Sequence, residues 1–521
     1  MEFKYGGSAI NQKTVLGHPA GLFVLFFTEM WERFSYYGMR AILVLFLITS
    51  LDEGGWAWTN ASALELYATY TFAVYITPIF GGILADKLLG YRKAVLLGAL
   101  VMTLGHASMA LETVNTFYAG LCLLAIGNGL FKPNISSMVG QLYKTEGKEK
   151  DSGYTIFYMG INAGAFLGIV LCGYIGEQVS WSLGFGLAGI FMFLGLLQFY
   201  FSQKIFGKIG LSFKEAEQYL IDNKNTEVED SKEDEVTSKV KWDRILVIFV
   251  FSISTIFFWW AFEQQGGSMT IFAEKYTDRT LTGSGVTIFN IVNTLLVIVP
   301  LAVVTYVLTL LFRQIFKNYP IANTFLGSSF VIIWGIVIWM IFTELSKSES
   351  EITASWFTSL NSPFIILLAP LFSKIWESKF NPSGPVKFGV GLILVAVGFG
   401  AIAYGASSIP MGATTASVSI IWLILAYLFH TSGELCISPV GLSYISKLSP
   451  KKLVGFMFGI WFTCTAIANG LAGLTGSYID KINEEYGMSR FFLIFAGITA
   501  FVGLIMILIN KFLVKKMHGI R

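Results

Sequence analysis

The sequence predicts an all-α membrane protein of fourteen transmembrane helices, laid out as two six-helix bundles plus an extra two-helix hairpin. Composition is the first observation behind this: of 521 residues, 54% are hydrophobic and 13% charged, where a soluble chain carries roughly a quarter charged residues. The second is that apolar runs of about 20 residues or more recur from end to end, each long enough to cross a hydrocarbon core of roughly 30 Å as a helix. The third is an alternation of lysine-rich with lysine-free loops, the mark of repeated bilayer crossing.

Six runs lie near 20–48, 62–86, 92–111, 115–139, 153–176 and 181–202. Eight more lie near 244–272, 284–312, 320–343, 355–378, 388–407, 417–446, 453–478 and 489–513. Between the two sets, residues 203–243 carry many charges of both signs and read as a solvated linker, with KEAEQYL inside it as a candidate short helix along the cytoplasmic face. Lys87, Arg92 and Lys93, then Lys144, Lys148 and Lys150, then Lys374, Lys379 and Lys387, then Lys447, Lys451 and Lys452 mark the inside loops, whereas 49–61, 112–114, 177–180 and 408–416 hold no Lys or Arg. Both termini and the linker are therefore expected in the cytoplasm, with Lys511, Lys515, Lys516 and Arg521 in agreement.

The predicted organisation is a cytoplasmic N-terminus (1–19), a first bundle (20–202), the linker (203–243), a second bundle (244–513) and a cytoplasmic tail (514–521). Residues 1–19 show none of the zones of a signal peptide, so insertion is expected to start with the first span. Loop alternation survives across 273–354, which requires an even number of inserted crossings, and the hairpin at about 284–343 supplies two. Neither hairpin run holds Asp, Glu, Lys or Arg, so the pair reads as a lipid-facing accessory. Cys122, Cys172, Cys436 and Cys464 all fall inside apolar runs and read as unpaired packing residues. The net charge of +3 comes from clusters at segment ends, which argues for membrane orientation rather than nucleic acid binding.

A charge near the bilayer centre costs at least ~2.5 kcal/mol, so each one needs a reason. The first run places Glu29, Glu32, Arg33, Tyr36, Tyr37 and Arg40 within an arc of about 140° on one helical face at ~100° per residue. A structural Arg–Glu clip would account for a pair of these. Two carboxylates, two guanidinium groups and two tyrosines on one stripe fit a proton-and-ligand site in a water-filled cavity better.

The string Glu29-x-x-Glu32-Arg33-Phe34-x-Tyr36-Tyr37 resembles the ExxERFxYY motif of the proton-dependent oligopeptide transporters, a branch of the major facilitator superfamily. GGILADKLLGYRKAV (81–95), FYMGINAGAF (157–166), TSGELCISPVGLSY (431–444) and GFMFGIWF (455–462) resemble further segments of that family, in order, so the likeness spans about residues 20–510. It implies two six-helix bundles alternating access to a midplane site, uptake of di- and tripeptides with protons, and Asp86 and Arg92 bracing the cytoplasmic side. FEQQGGS (262–268) resembles the seventh family helix and SLNSPFIILLAP (359–370) the eighth. The hairpin therefore lies between them, a departure from bacterial members that carry it between the bundles.

A short peptide carries an amine and a carboxylate, so its receptor needs opposite charges. Arg40 and Lys132 suit the carboxylate, Glu434 and Asn361 the amine, and the resemblance adds Asn162 for the peptide backbone. Asn162 bonding between helices is the plainer alternative. Tyr36, Tyr37, Tyr75, Tyr154, Phe157, Trp259, Trp461 and Phe462 are candidates to line side-chain pockets, against packing as the general role of aromatics.

Proton coupling requires carboxylates whose charge biases two conformations. Glu29 and Glu32 stand beside Arg33 and could trade partners with Lys132; Glu263 could pair with Arg40 and release it on protonation. Of the histidines, His18 and His518 lie near the ends, His106 reads as a core residue, and His430 begins the tenth family helix. No nucleophile–base pair, metal-ligand spacing or phosphate-binding loop occurs at a run end, which argues against an enzyme, a metal and a cofactor. The expected setting is the cell membrane, with a monomer as the working unit. Transport of nitrate, another small anion or a peptide-like drug is the alternative on the same fold.

Overall fold

In the computed structural model, residues 3–144, 148–212, 215, 238–347, 349–379, 381–450 and 453–520 are described. The short helix expected at 214–220 lies outside them, apart from Glu215. The spanning helices of the first half are α1 (Ala20–Ile48), α2 (Asn60–Leu84), α3 (Tyr91–Met109), α4 (Val114–Gln141), α5 (Lys148–Gln178) and α6 (Trp181–Ser202). They are followed by α7 (Ser238–Phe262), α8 (Ser268–Tyr276), α9 (Ser284–Ile315), α10 (Pro320–Leu345), α11 (Ala354–Ser359) and α12 (Asn361–Glu377). The chain closes with α13 (Gly384–Ala406), α14 (Ile421–Leu448), α15 (Val454–Gly476), α16 (Ile479–Tyr486), α17 (Met488–Leu508) and α18 (Asn510–Lys516).

Among the described residues, twelve spans are long and apolar enough to cross a membrane. Helices α1 and α3 occupy the two remaining predicted runs, so all fourteen runs are helical. Hydrocarbon offers no partner to a free N–H or C=O, which leaves the helix as the form these runs can take. Two spans are interrupted: a 3-10 turn at Glu263–Gly266 separates α7 from α8, and Leu360 separates α11 from α12. Each break falls at a predicted site residue, Glu263 and Asn361.

Two compact units divide the chain, with boundaries inside α1 and α2. Unit 1 comprises Met1–Leu43, Ile76–Val228 and Thr280–Trp356. Here α5 lies close on α1 through Gly160, Gly164 and Gly168: a Cβ at Gly164 would meet the Met30 carbonyl oxygen at 2.1 Å, and one at Gly168 the Phe34 oxygen at 2.2 Å. Small residues at every fourth position are how membrane helices approach so closely. Near the chain start, His18 Nδ1 meets the Tyr143 hydroxyl at 2.8 Å and Tyr5 donates to Glu149 at 2.5 Å.

The hairpin α9–α10, which follows α8 in sequence, packs in unit 1 on α5 and α6. Its buried stripe of Val286, Asn290, Val297, Leu301, Val304 and Leu308 repeats every three to seven residues, while Ile288, Ile291, Leu295, Val299 and Val303 are exposed. One face is packed and the other is apolar and open, which suits contact with lipid. Polar clamps hold both ends. Lys13 Nζ donates to the Gln314 oxygen at 2.8 Å and to Asn318 Oδ1 at 3.1 Å. At the other end, Tyr174 donates to Glu344 at 2.8 Å, and just past the hairpin Glu177 accepts from the Ala354 and Ser355 amides of α11 at 2.8 and 3.1 Å.

Unit 2 comprises Val44–Tyr75, Glu229–Arg279 and Phe357–Arg521. Helix α13 packs against both α14 and α17, and Phe251 of α7 stacks on Phe388 with centroids 4.4 Å apart. At one end, Lys275 Nζ donates to Asn60 Oδ1 at 2.9 Å, and Asn60 Nδ2 to Asp480 at 2.8 Å.

Candidate functional site

The predicted residues fall into two sets, one in each unit. In unit 1, Glu29, Glu32 and Arg33 are almost fully buried. Arg33 Nε lies 3.0 Å from Glu29 Oε1 and also pairs with Glu32. Asn128 of α4 donates to the other Glu32 oxygen at 2.9 Å. Lys132, one turn further along α4, is within electrostatic range of Glu29. The Arg33 guanidinium lies 5.5 Å from the Tyr36 ring centre, and Tyr36 meets Tyr37 edge-on at 5.0 Å. Arg40 is buried further along the same helix.

Two carboxylates thus share one guanidinium, with a second cation nearby. Glu29 Oε2 and Arg33 Nη2 are buried with no hydrogen-bond partner among the described residues. Such an arrangement holds charge in a low-dielectric interior only while the pairs stay intact. Adding or removing one proton changes which partner Arg33 satisfies.

In unit 2, Asn361 at the start of α12 donates to Glu434 Oε2 at 2.8 Å and to Thr431 Oγ1 at 3.2 Å. Glu434 is buried in α14, and Glu263, buried in the helix break, lies within its electrostatic range. Gln265 meets His430 Nδ1 at 3.4 Å, and Gln264 donates to the Ala472 oxygen at 2.8 Å. This cluster is acidic and amide-rich.

Several predicted residues stand apart from the two clusters. Asn162 donates to the Tyr158 oxygen of its own helix at 3.0 Å. Trp259 packs edge-on against Phe258 and Phe262, 5.1 and 5.2 Å away. Trp461 is buried where a Cβ on Gly441 would come within 2.3 Å of its ring, and meets Phe388 edge-on at 6.3 Å. Phe157 is buried, Tyr75 half-buried, and Tyr154 and Phe462 exposed. Arg92 of α3 donates through Nε to the Ile209 oxygen at 2.9 Å and also bonds the Gly207 oxygen, so it ties α3 to the segment after α6. Asp86 lies within electrostatic range of Tyr91. Among the described residues no cluster of three or more His, Cys, Asp or Glu side chains is placed to hold a metal.

Sequence reasoning missed Asn128 and Thr431. Asn128 stands four residues before Lys132 and therefore on the same face of α4, a spacing that would have paired the two. Thr431 opens the segment 431–444, in which Glu434 is the residue whose charge stands out. The helix breaks were also missed, although Gly266-Gly267 and Asn361-Ser362-Pro363 signal them.

The PTR2 model, described as the POT family, matches residues 92–220 and 327–492, more than half of the chain. The chain belongs to the POT family. The uncharacterized transporter YclF of Bacillus subtilis is 32% identical over 529 aligned residues, covering 98% of each chain. The di-/tripeptide transporter of Lactococcus lactis subsp. cremoris is 30% identical, covering 98% of this chain and 99% of its own. Among solved structures, the peptide transporter POT in complex with sulfate superposes with a TM-score of 0.74 at 29% identity, covering 97% of both chains. The fold is therefore that of the POT branch of the major facilitator superfamily, and the protein is a multi-pass membrane protein of a transporter family.

Proposed function

We propose that this POT-family protein is a proton-coupled symporter that takes up di- and tripeptides by alternating access. The observation that carries the reading is the buried trio of Glu29, Glu32 and Arg33, two carboxylates on one guanidinium with Lys132 in range of Glu29. A proton arriving at Glu29 or Glu32 removes one of Arg33's counter-charges and favours a new pairing. A conformational equilibrium that depends on that pairing is then driven by the proton gradient.

Peptide specificity is assigned to two chemistries. Arg40 and Lys132 of unit 1 offer cations to a carboxylate, Arg as a planar fork and Lys as a point charge. Glu434 of unit 2, held by Asn361, offers a buried anion to an ammonium. Tyr36, Tyr37, Tyr75, Trp259 and Trp461 supply aromatic surface for varied side chains. Glu263 is assigned to coupling, and Asp86 and Arg92 to bracing the cytoplasmic side. The gradient replaces any cofactor, both termini face the cytoplasm of the cell membrane, and the monomer suffices.

The test is accumulation of labelled dipeptide in proteoliposomes under an inward proton gradient. Wild type should concentrate it and lose the accumulation with a protonophore; Glu434→Gln should reduce uptake at least tenfold. Accumulation untouched by the protonophore overturns the coupling. Nitrate or free amino acids competing as well as dipeptides would overturn the substrate assignment.

A further inference from the structure

We propose that the inserted hairpin is a working part of the proton-coupling apparatus, with Phe330 of α10 as a positioning residue that fixes α1 through Trp31. The proposal rests on the reading of Glu29, Glu32 and Arg33 as the proton site.

Trp31 lies between those residues in sequence and opposite them in space. At ~100° per residue, Phe27, Trp31 and Phe34 centre about 170° around α1 from the stripe of Glu29, Glu32, Arg33 and Tyr36. This rear face is wholly aromatic and wholly buried. Trp31 stacks on Phe191 of α6 with centroids 4.8 Å apart, where Gly195 leaves room for it. Phe330 meets the Trp31 ring edge-on at 5.6 Å and the Phe27 ring edge-on at 5.6 Å. The hairpin therefore closes the back of the helix that carries the charges.

Two further observations give this contact its role. The Trp31 indole N–H is buried without a hydrogen-bond partner among the described residues. Its ring is then oriented by packing alone, whereas buried tryptophans usually have a polar anchor as well. The hairpin is also clamped at both ends, by Lys13 on Gln314 and Asn318 and by Tyr174 on Glu344. Phe330 stands near the middle of α10 and is delivered from a fixed frame.

The charged face is sensitive to such a support. At a side-chain reach of roughly 6 Å, turning α1 by about 10° moves a charged tip by about 1 Å. That is enough to alter what α4 presents to these groups, the 2.9 Å hydrogen bond from Asn128 to Glu32 and the distance from Lys132 to Glu29. The groups facing this pair are Glu32 and Tyr37 on α1 and Lys132 on α4, with Asn128 bonded to Glu32. A shift of α1 changes its distance to α4 and so the proton affinity of both carboxylates.

The test reads protonation directly, by the infrared C=O band of protonated carboxyl groups in purified full-length protein, with Glu29→Gln and Glu32→Gln used to assign the bands. Phe330→Ala should move the titration midpoint of an assigned band by at least half a pH unit. Phe330→Leu keeps most of the volume, serves if the alanine variant does not fold, and should move it in the same direction. Phe325→Ala is the control, since Phe325 stacks on Phe201 of α6 at 5.8 Å and is absent from the α1 contact. Midpoints identical to wild type in both Phe330 variants, or an equal shift in Phe325→Ala, overturn the proposal. The readout needs no substrate, so a wild type that fails to accumulate dipeptide would sink the transport reading while leaving this result to stand or fall by itself.

Discussion

The two units each bury a glutamate cluster, and they stabilise it in opposite ways. In unit 1, Glu29 and Glu32 are compensated by the Arg33 guanidinium with Lys132 in range. In unit 2, the hydrogen bond to Glu434 comes from the neutral amide of Asn361, and the charge in its range is another carboxylate, Glu263. A carboxylate with a full complement of cations has little left for a ligand and is suited to exchanging partners on protonation. One whose hydrogen bond, among the described residues, comes from an amide has no cation to give up and is suited to an incoming ammonium. The same residue type thus serves coupling in one place and recognition in the other, and its neighbours decide which.

The largest effect that separates the two clusters is expected from Arg33→Met. It strands two buried carboxylates, a loss of about 3–5 kcal/mol by analogy with broken buried pairs, and should appear as a clear fall in thermal stability in detergent. Glu434→Gln should leave thermal stability unchanged or raise it, because it removes an uncompensated charge while preserving the shape. Equal destabilisation by both variants would erase the distinction.

An intermediate effect is expected from the amides. Asn361→Ala and Asn128→Ala each delete a hydrogen bond to a carboxylate, of the kind that contributes about 1.5–3 kcal/mol. Asn361→Ala should weaken dipeptide binding severalfold in calorimetric titration, whereas Asn128→Ala should leave binding nearly unchanged and shift the pH dependence of uptake. Interchanged phenotypes would reverse the assignment of roles.

The smallest effect lies at the chain start. Burial holds the His18 imidazole below the ordinary histidine value of 6.5, so the folded state favours the neutral ring. The stability this supplies is fully present above pH 6.5 and falls as acidification protonates the unfolded form first. Hydrogen-exchange protection factors of residues 5–19, corrected for the intrinsic pH dependence of amide exchange, should therefore fall a few-fold between pH 7.5 and 5.5, and His18→Asn should flatten that dependence.

The spans and the charged stripe were legible because hydrocarbon penalises charge so heavily that Glu29, Glu32, Arg33 and Arg40 stand out from their surroundings. The glycine-rich segment 157–166 was legible as a motif but not as a cause: only coordinates show Gly164 against the Met30 carbonyl. The hairpin reads as an accessory in sequence because its two apolar runs carry no charge. Its attachment through Phe330 to the back of α1 involves residues that, in an apolar run, look like any others. The partners Asn128 and Thr431 were hidden for a related reason, since a single polar residue in a helix does not announce which neighbour it faces.

The double clamp on the hairpin has a practical consequence for imaging. Membrane proteins with little mass outside the bilayer are hard to align in electron micrographs, and a rigid handle solves that only if it cannot swivel. The turn between α9 and α10, pinned by Lys13 to Gln314 and Asn318, is a grafting point for a helical fusion that would follow unit 1 as one body.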